Sequence, residues 1–212
     1  VAARLAQLLG TALVAGALLA SMSGCAAGGD VVFTKTPSPT AAPSVVAPTT
    51  PPEPAPTVAA PEAPAVPSGL ALVVVLPGDG SAGAEQADAV RQAVTGLATA
   101  NAASVTLLDL AVSANAGTLY ERALDSDPDV VVTVGPTGLD ALQQVAAAQP
   151  GRQFLVVGAQ PLAPAPNITA VVWPGSDAAP VAPDLGTRVA AAVTAGTSEI
   201  AAERTGLVIA LP

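Results

Sequence analysis

Three glycines in the stretch VVVLPGDGSAG (Val73 to Gly83) fall at a spacing that can do chemistry. Gly78, Gly80 and Gly83 fit G-x-G-x-x-G, the turn in which a strand hands over to a helix and backbone N–H groups cradle a pyrophosphate. Asp109 ends the next apolar run, where a ribose-binding acid belongs, 26 residues past Gly83. Two features weigh against a dinucleotide. Asp79 would place a negative charge beside the phosphates, and the spacing exceeds the usual ~20 residues. An Ala/Gly-rich chain also produces this pattern by chance, so a dinucleotide-binding Rossmann domain is the minor reading. The same turn can hold a neutral solute through Asp79, the backbone of Gly80 and the hydroxyl of Ser81.

Composition removes most other chemistry. The 212 residues include no histidine and one cysteine, Cys25. Ser-His-Asp and Cys-His catalysis, His-containing metal sites and an internal disulfide are therefore excluded. The only lysine is Lys35, and the formal net charge is −9. Such a polyanion has no electrostatic basis for holding nucleic acid, whose phosphates need Lys and Arg. The acidic group Asp125, Asp127 and Asp129 lacks the glycine and terminal Glu of a calcium loop and reads as a solvated helix end. The expectation is a protein that is not an enzyme, with no cofactor and no metal.

The elements that must position the glycine turn alternate regularly. Strands are expected over 70–76, 104–110, 129–135, 153–158, 167–173 and 205–211, and helices over 84–100, 116–126, 137–149 and 184–196. The strands are nearly continuous apolar runs, as in sheets buried on both faces. The first helix sets Ala87, Val90, Val94 and Leu97 on one side; Leu139, Leu142 and Val145 do the same over 137–149. The rhythm predicts an α/β fold, a doubly wound parallel sheet with its first five strands in the order 2-1-3-4-5. Ligands of such sheets bind beyond the carboxyl ends of the strands, at the switch point. That puts Asp79, Gly80 and Ser81 on one side of a site and Gly135 and Thr137 on the other. Thr137 also suits a helix cap. Gln160 follows the fourth strand and Trp173 ends the fifth, which makes both candidate ligand contacts.

Ahead of this domain lie two segments of different character. Arg4 precedes a 16-residue apolar run, Leu5 to Ala20, too short to span a bilayer and suited to a signal-peptide core. Ser23-Gly24-Cys25 follows and resembles a bacterial lipobox, with Met22 in place of the usual Leu. Residues 1–24 are thus expected to be a lipoprotein signal peptide, and Cys25 the lipidated residue. Acyl chains contribute ~0.8 kcal/mol per buried CH₂ to membrane affinity. From Thr36 to Ser68, 11 of 33 residues are proline. Residues 25–68 are read as a disordered, polyproline-rich linker, because they lack the large apolar side chains that build a core.

The stretch DPDVVVTVGPTGLDALQQVAAAQPGRQFLVVG, Asp127 to Gly158, resembles the basic membrane protein family of ABC-transporter substrate-binding lipoproteins. The resemblance lies in Pro128-Asp129, Gly135, Ala146, Pro150 and Phe154, and more loosely in Asn167-Ile168. It implies the first lobe of a type I periplasmic binding protein over 69–204, with 205–212 opening a second lobe. A chain ending there would carry half a cleft and bind solute weakly. It further implies a small-molecule solute, of nucleoside type in characterised members, an ABC permease as partner, a lipid anchor and a place on the extracytoplasmic face of the cell membrane. Two departures stand out. The first loop, GDGSAGAEQADAV, has no aromatic to stack on a base, and Gly158 stands where the family has Asp. The alternative is a tethered envelope lipoprotein with a degenerate binding fold, acting in sensing or structure.

Overall fold

The computed structural model describes residues 53–77, 81–110, 115–176 and 184–212, with side chains from residue 84 onward in the first helix. The signal-peptide segment, Cys25, Asp79 and Gly80 lie outside the described residues. Within them, seven strands follow in chain order: β1 Thr57–Ala59, β2 Ala71–Leu76, β3 Ser104–Asp109, β4 Val130–Val134, β5 Gln153–Val157, β6 Ile168–Val172 and β7 Val208–Ala210. The helices are α1 Ser81–Asn101, α2 Ala116–Leu124, α3 Leu139–Ala148 and α4 Leu185–Ala201.

All seven strands join one parallel sheet in the order β1-β7-β6-β5-β4-β2-β3. The segment from β3 to β6 reproduces the expected 2-1-3-4-5 order. Runs such as ALVVVL and VVVTV form central strands because β-branched side chains pack on both faces of the pleat. Alternate residues feed two cores. Leu72, Val74, Leu76, Val132 and Val157 point to one face, which α1 covers with Val90 and Val94 and α4 with Val189 and Val193. Val73, Val75, Val131, Phe154 and Val156 point to the other, which Tyr120 and Ala123 of α2 and Leu142 and Ala146 of α3 cover.

Two expectations are corrected here. The linker reading reached Ser68, yet Thr57–Ala59 is a strand paired in parallel with β7, in the register Thr57↔Val208 and Ala59↔Ala210. Prolines flank these three residues, and the strand lies at the sheet edge, where Pro is tolerated. The second correction concerns 205–212, read as the opening of another lobe. Val208–Ala210 instead extends this same sheet, pairing Ala170↔Val208 and Val172↔Ala210. Strand β6 leaves a row of backbone groups to satisfy, and Ala170 N donates to Leu207 O at 2.9 Å and Leu211 N to Val172 O at 2.8 Å.

The helix expected to stop at Gly196 runs on to Ala201. Glycine usually signals a helix end, but here it permits close approach. A Cβ at Gly196 would stand 2.8 Å from Leu155 Cδ2, so the bare backbone lets α4 lie directly on β5. The helix ends instead at a bidentate ion pair in which Arg204 Nε and Nη2 hold Glu199. Glu199 is buried, and the Arg204 hydrogen bonds hold its carboxyl below the usual range against the opposing effect of burial.

Candidate functional site

Because every strand is parallel, their carboxyl ends form one edge. Along it the neighbours β2 and β4 send the chain in opposite directions: β2 leads into α1 on one face, β4 into α3 on the other. In doubly wound sheets such diverging connections mark the usual ligand position. Pro77 follows the carboxyl end of β2, and Gly135, Pro136, Thr137 and Gly138 follow that of β4. Ser81 opens α1, with its backbone alone described.

Gly135 turns the chain away from β4, its N–H donating to Val157 O at 2.8 Å. Thr137 is exposed, and it does not cap α3; Gly138 holds the N-cap position with no side-chain hydrogen bond. The capping expectation is therefore corrected. On β3, which neighbours β2, the terminal Asp109 accepts from Arg91 of α1 at 3.2 Å, and Arg91 also pairs with Asp88. The acid proposed for a ribose thus sits in a local ion-pair group. The Asp88–Arg91 spacing was visible in the sequence, but its convergence on Asp109 depends on the fold.

On the α2/α3 face, Tyr120 and Thr133 share a buried hydrogen bond of 2.8 Å. Burial pushes the Tyr120 phenol up, against the opposing effect of the Thr133 bond. Tyr120 and Phe154 have no exposed surface, so neither can stack on a ligand. Trp173 is half-buried and is the one aromatic among the described residues with open surface. Its indole lies over Gly158 at the end of β5. A Cβ there would meet the ring at 2.9 Å, and Gly158 also has φ +76°, a region that side chains disfavour. The departure at Gly158 from the resembled family thus has a local cause. A side chain at 158 would displace the tryptophan. After Trp173 the chain turns, Ser176 N donating to Trp173 O at 3.0 Å.

Gln160 does not join this group. It is exposed and lines a separate groove of about 70 Å³ over β6 and β7, with Pro54, Ala55, Leu162, Ile168 and Val208 among its walls. Asn167 is buried, and its Nδ2 donates to the carbonyls of Ala146, Gln149 and Arg152 at 3.0, 3.0 and 3.1 Å. It closes the carboxyl end of α3 and ties β6 to it. In the acidic group before β4, Asp129 accepts from Ala71 N at 2.7 Å and Asp127 pairs with Arg152. Among the described residues no His/Cys/Asp/Glu group could hold a metal ion, and no helix is long and apolar enough to cross a membrane.

Pro77, Gly135 and Thr137 lie at the switch point of a doubly wound α/β sheet. No protein-family model matches the sequence, and no curated protein does. Among solved structures the chain is similar to an ABC transporter system solute-binding protein from Aeropyrum pernix K1, at 18% identity and TM-score 0.42, over 49% of this chain and 28% of that one. It is also similar to a fragment described as a lipoprotein from Peptoclostridium difficile 630, at 16% identity and TM-score 0.44, over 59% of this chain and 99% of that one. A third is an ABC transporter system solute-binding protein from Conexibacter woesei DSM 14684, at 16% identity and TM-score 0.42, over 50% of this chain and 35% of that one. The chain thus spans 28% and 35% of the length of the two solute-binding proteins.

Proposed function

We propose that the chain is a lobe of an extracytoplasmic solute-binding lipoprotein that serves an ABC importer and is anchored through lipid at Cys25. Its solute is held at the carboxyl edge of the sheet. The observation that carries this reading is the divergence of α1 and α3 from neighbouring strands β2 and β4. The lipobox-like Ser23-Gly24-Cys25 and the family resemblance over Asp127–Gly158 support it from the sequence.

The contacts proposed are the loop of Asp79, Gly80 and Ser81, the Gly135 backbone, the Thr137 hydroxyl and the Trp173 indole. Gln160 is the outlying member, suited to a large solute that extends past β5. The chemistry is recognition without reaction: hydroxyl and backbone donors for a polar solute, and one aromatic surface for a flat or apolar group. A nucleoside fits that division.

Trp173 is the sole tryptophan, so intrinsic fluorescence reports this edge. Titration with adenosine, then with a panel of sugars and amino acids, is expected to change Trp173 emission with at least one saturating solute. Thr137→Ala is expected to weaken that response severalfold. Emission unchanged by every solute to millimolar concentration would overturn the reading.

A further inference from the structure

The carboxyl ends of α2 and α3 line a groove of about 330 Å³. Arg152, one of its walls, directly precedes β5, so the groove lies by the amino ends of the strands, opposite the switch point. Its apolar walls are Leu124 and Val145, both half-buried against the α2/α3 core, and Ala148. Glu121 and Asp125 of α2 supply negative charge.

The charges here are unevenly matched. Arg152 is half-buried and pairs with Asp127. Among the described residues neither Glu121 nor Asp125 joins an ion pair, and both are exposed. They stand four apart on one side of α2, where like charges repel. Glu121 lies in the last turn of that helix and Asp125 is its C-cap. The carbonyls at a helix carboxyl end favour cations over anions. Arg122 of the same turn is exposed and is not a wall of the groove. The last turn of α3 brings a second negative helix end and no basic residue. Helix chemistry thus disfavours both acids where they stand, and such local rules are broken chiefly at functional sites.

An arginine matches this arrangement. The chain already seats one, since Arg152 lines the groove and its guanidinium reaches the Asp127 carboxylate. A second guanidinium, brought from outside, would meet two carboxylates with its planar fork and lay its aliphatic stem on Leu124 and Val145. A lysine ammonium is a point charge and suits a pair of acids less well.

We propose that this groove docks an arginine-bearing apolar segment of a partner protein, with Glu121 and Asp125 holding the guanidinium. The proposal is independent of the solute reading, which concerns the opposite edge of the sheet.

The test titrates the full-length chain with an acetylated, amidated peptide, Leu-Ala-Arg-Leu-Ala, and follows amide chemical shifts. Saturating shifts are expected at Leu124, Val145, Ala148 and Gln149. The same peptide with norleucine for arginine is expected to leave them unmoved. Glu121→Gln with Asp125→Asn is expected to weaken binding by about tenfold, the loss of charged hydrogen bonds. Glu85→Gln with Asp140→Asn removes the same charge at the opposite edge, beyond the screening length, and should keep affinity within about twofold. Equal loss from both double variants would show attraction to net charge alone and overturn the proposal. So would unmoved shifts at these four residues up to millimolar peptide. The free chain gives a second reading. Removing two disfavoured charges predicts that Glu121→Gln with Asp125→Asn raises the melting temperature by about 2 °C. A fall would assign the two acids to support of the fold and overturn the proposal.

Discussion

Strand β4, in the middle of the sheet, buries all five of its residues, whereas β1, at one edge, exposes all three. Between these extremes the source of order changes. Central strands are held by side chains that leave water on both faces, and each large one contributes ~1.5–3 kcal/mol. The edge strand is held by backbone bonds and two flanking alanines. It can therefore form from a proline-rich segment with no apolar run. The middle carries the switch point between β2 and β4; the edge only extends the sheet.

Substitutions can break this contrast, starting with the centre. Phe154 has no exposed surface and fills the α2/α3 core. Phe154→Ala is expected to lower unfolding free energy by about 3–5 kcal/mol in a denaturant titration. A loss under 1 kcal/mol would mean that this core is not the support described. Gly196→Ala follows. Alanine is the better helix former by ~1 kcal/mol, so a propensity argument predicts a gain. The contact with Leu155 instead predicts a net loss of about 1–3 kcal/mol from overpacking. A rise in melting temperature would refute the close approach of α4 to β5.

The turn from α4 to β7 joins the two regions, and it carries a pH dependence. Glu199 has its folded-state pKa lowered, first through the Arg204 hydrogen bond. Its contribution is present above the ordinary Glu value and is lost as pH falls through the lowered folded-state value. Stability should thus decline on the acid side, and Glu199→Gln should make that decline shallower. A slope unchanged by Glu199→Gln would show that the pair does not matter there. Smallest is the edge itself: Val58→Ala is expected to change stability by no more than about 0.5 kcal/mol by thermal melting. A loss comparable to that of Phe154→Ala would erase the distinction between middle and edge.

The same contrast explains what the sequence revealed. The strand expected over 104–110 is Ser104–Asp109, and that over 153–158 is Gln153–Val157, because burial on both faces leaves an apolar run that reads directly. Thr57–Ala59 has no such run; only its register with Val208–Ala210 makes it a strand. Gly196 misled because a glycine used for packing looks like a glycine used to stop a helix. The switch point followed from element order, and Gly135, Thr137 and Trp173 come after the carboxyl ends of β4 and β6. Thr137 as a cap did not follow, since Gly138 occupies that position. The burial of Tyr120 and Phe154, which leaves Trp173 as the open aromatic, depended on the direction each strand and helix faces. Periodicity marked those directions only partly.

The central claim is that the carboxyl edge is where this protein meets its solute. Amide chemical-shift mapping with a saturating solute tests it most directly. Shifts are expected at Gly135, Thr137, Gly158 and Trp173 and none at Ala71 and Asp129, which mark the amino edge of the same sheet. Shifts clustered at the amino edge, or in the groove over β6 and β7 alone, would contradict it.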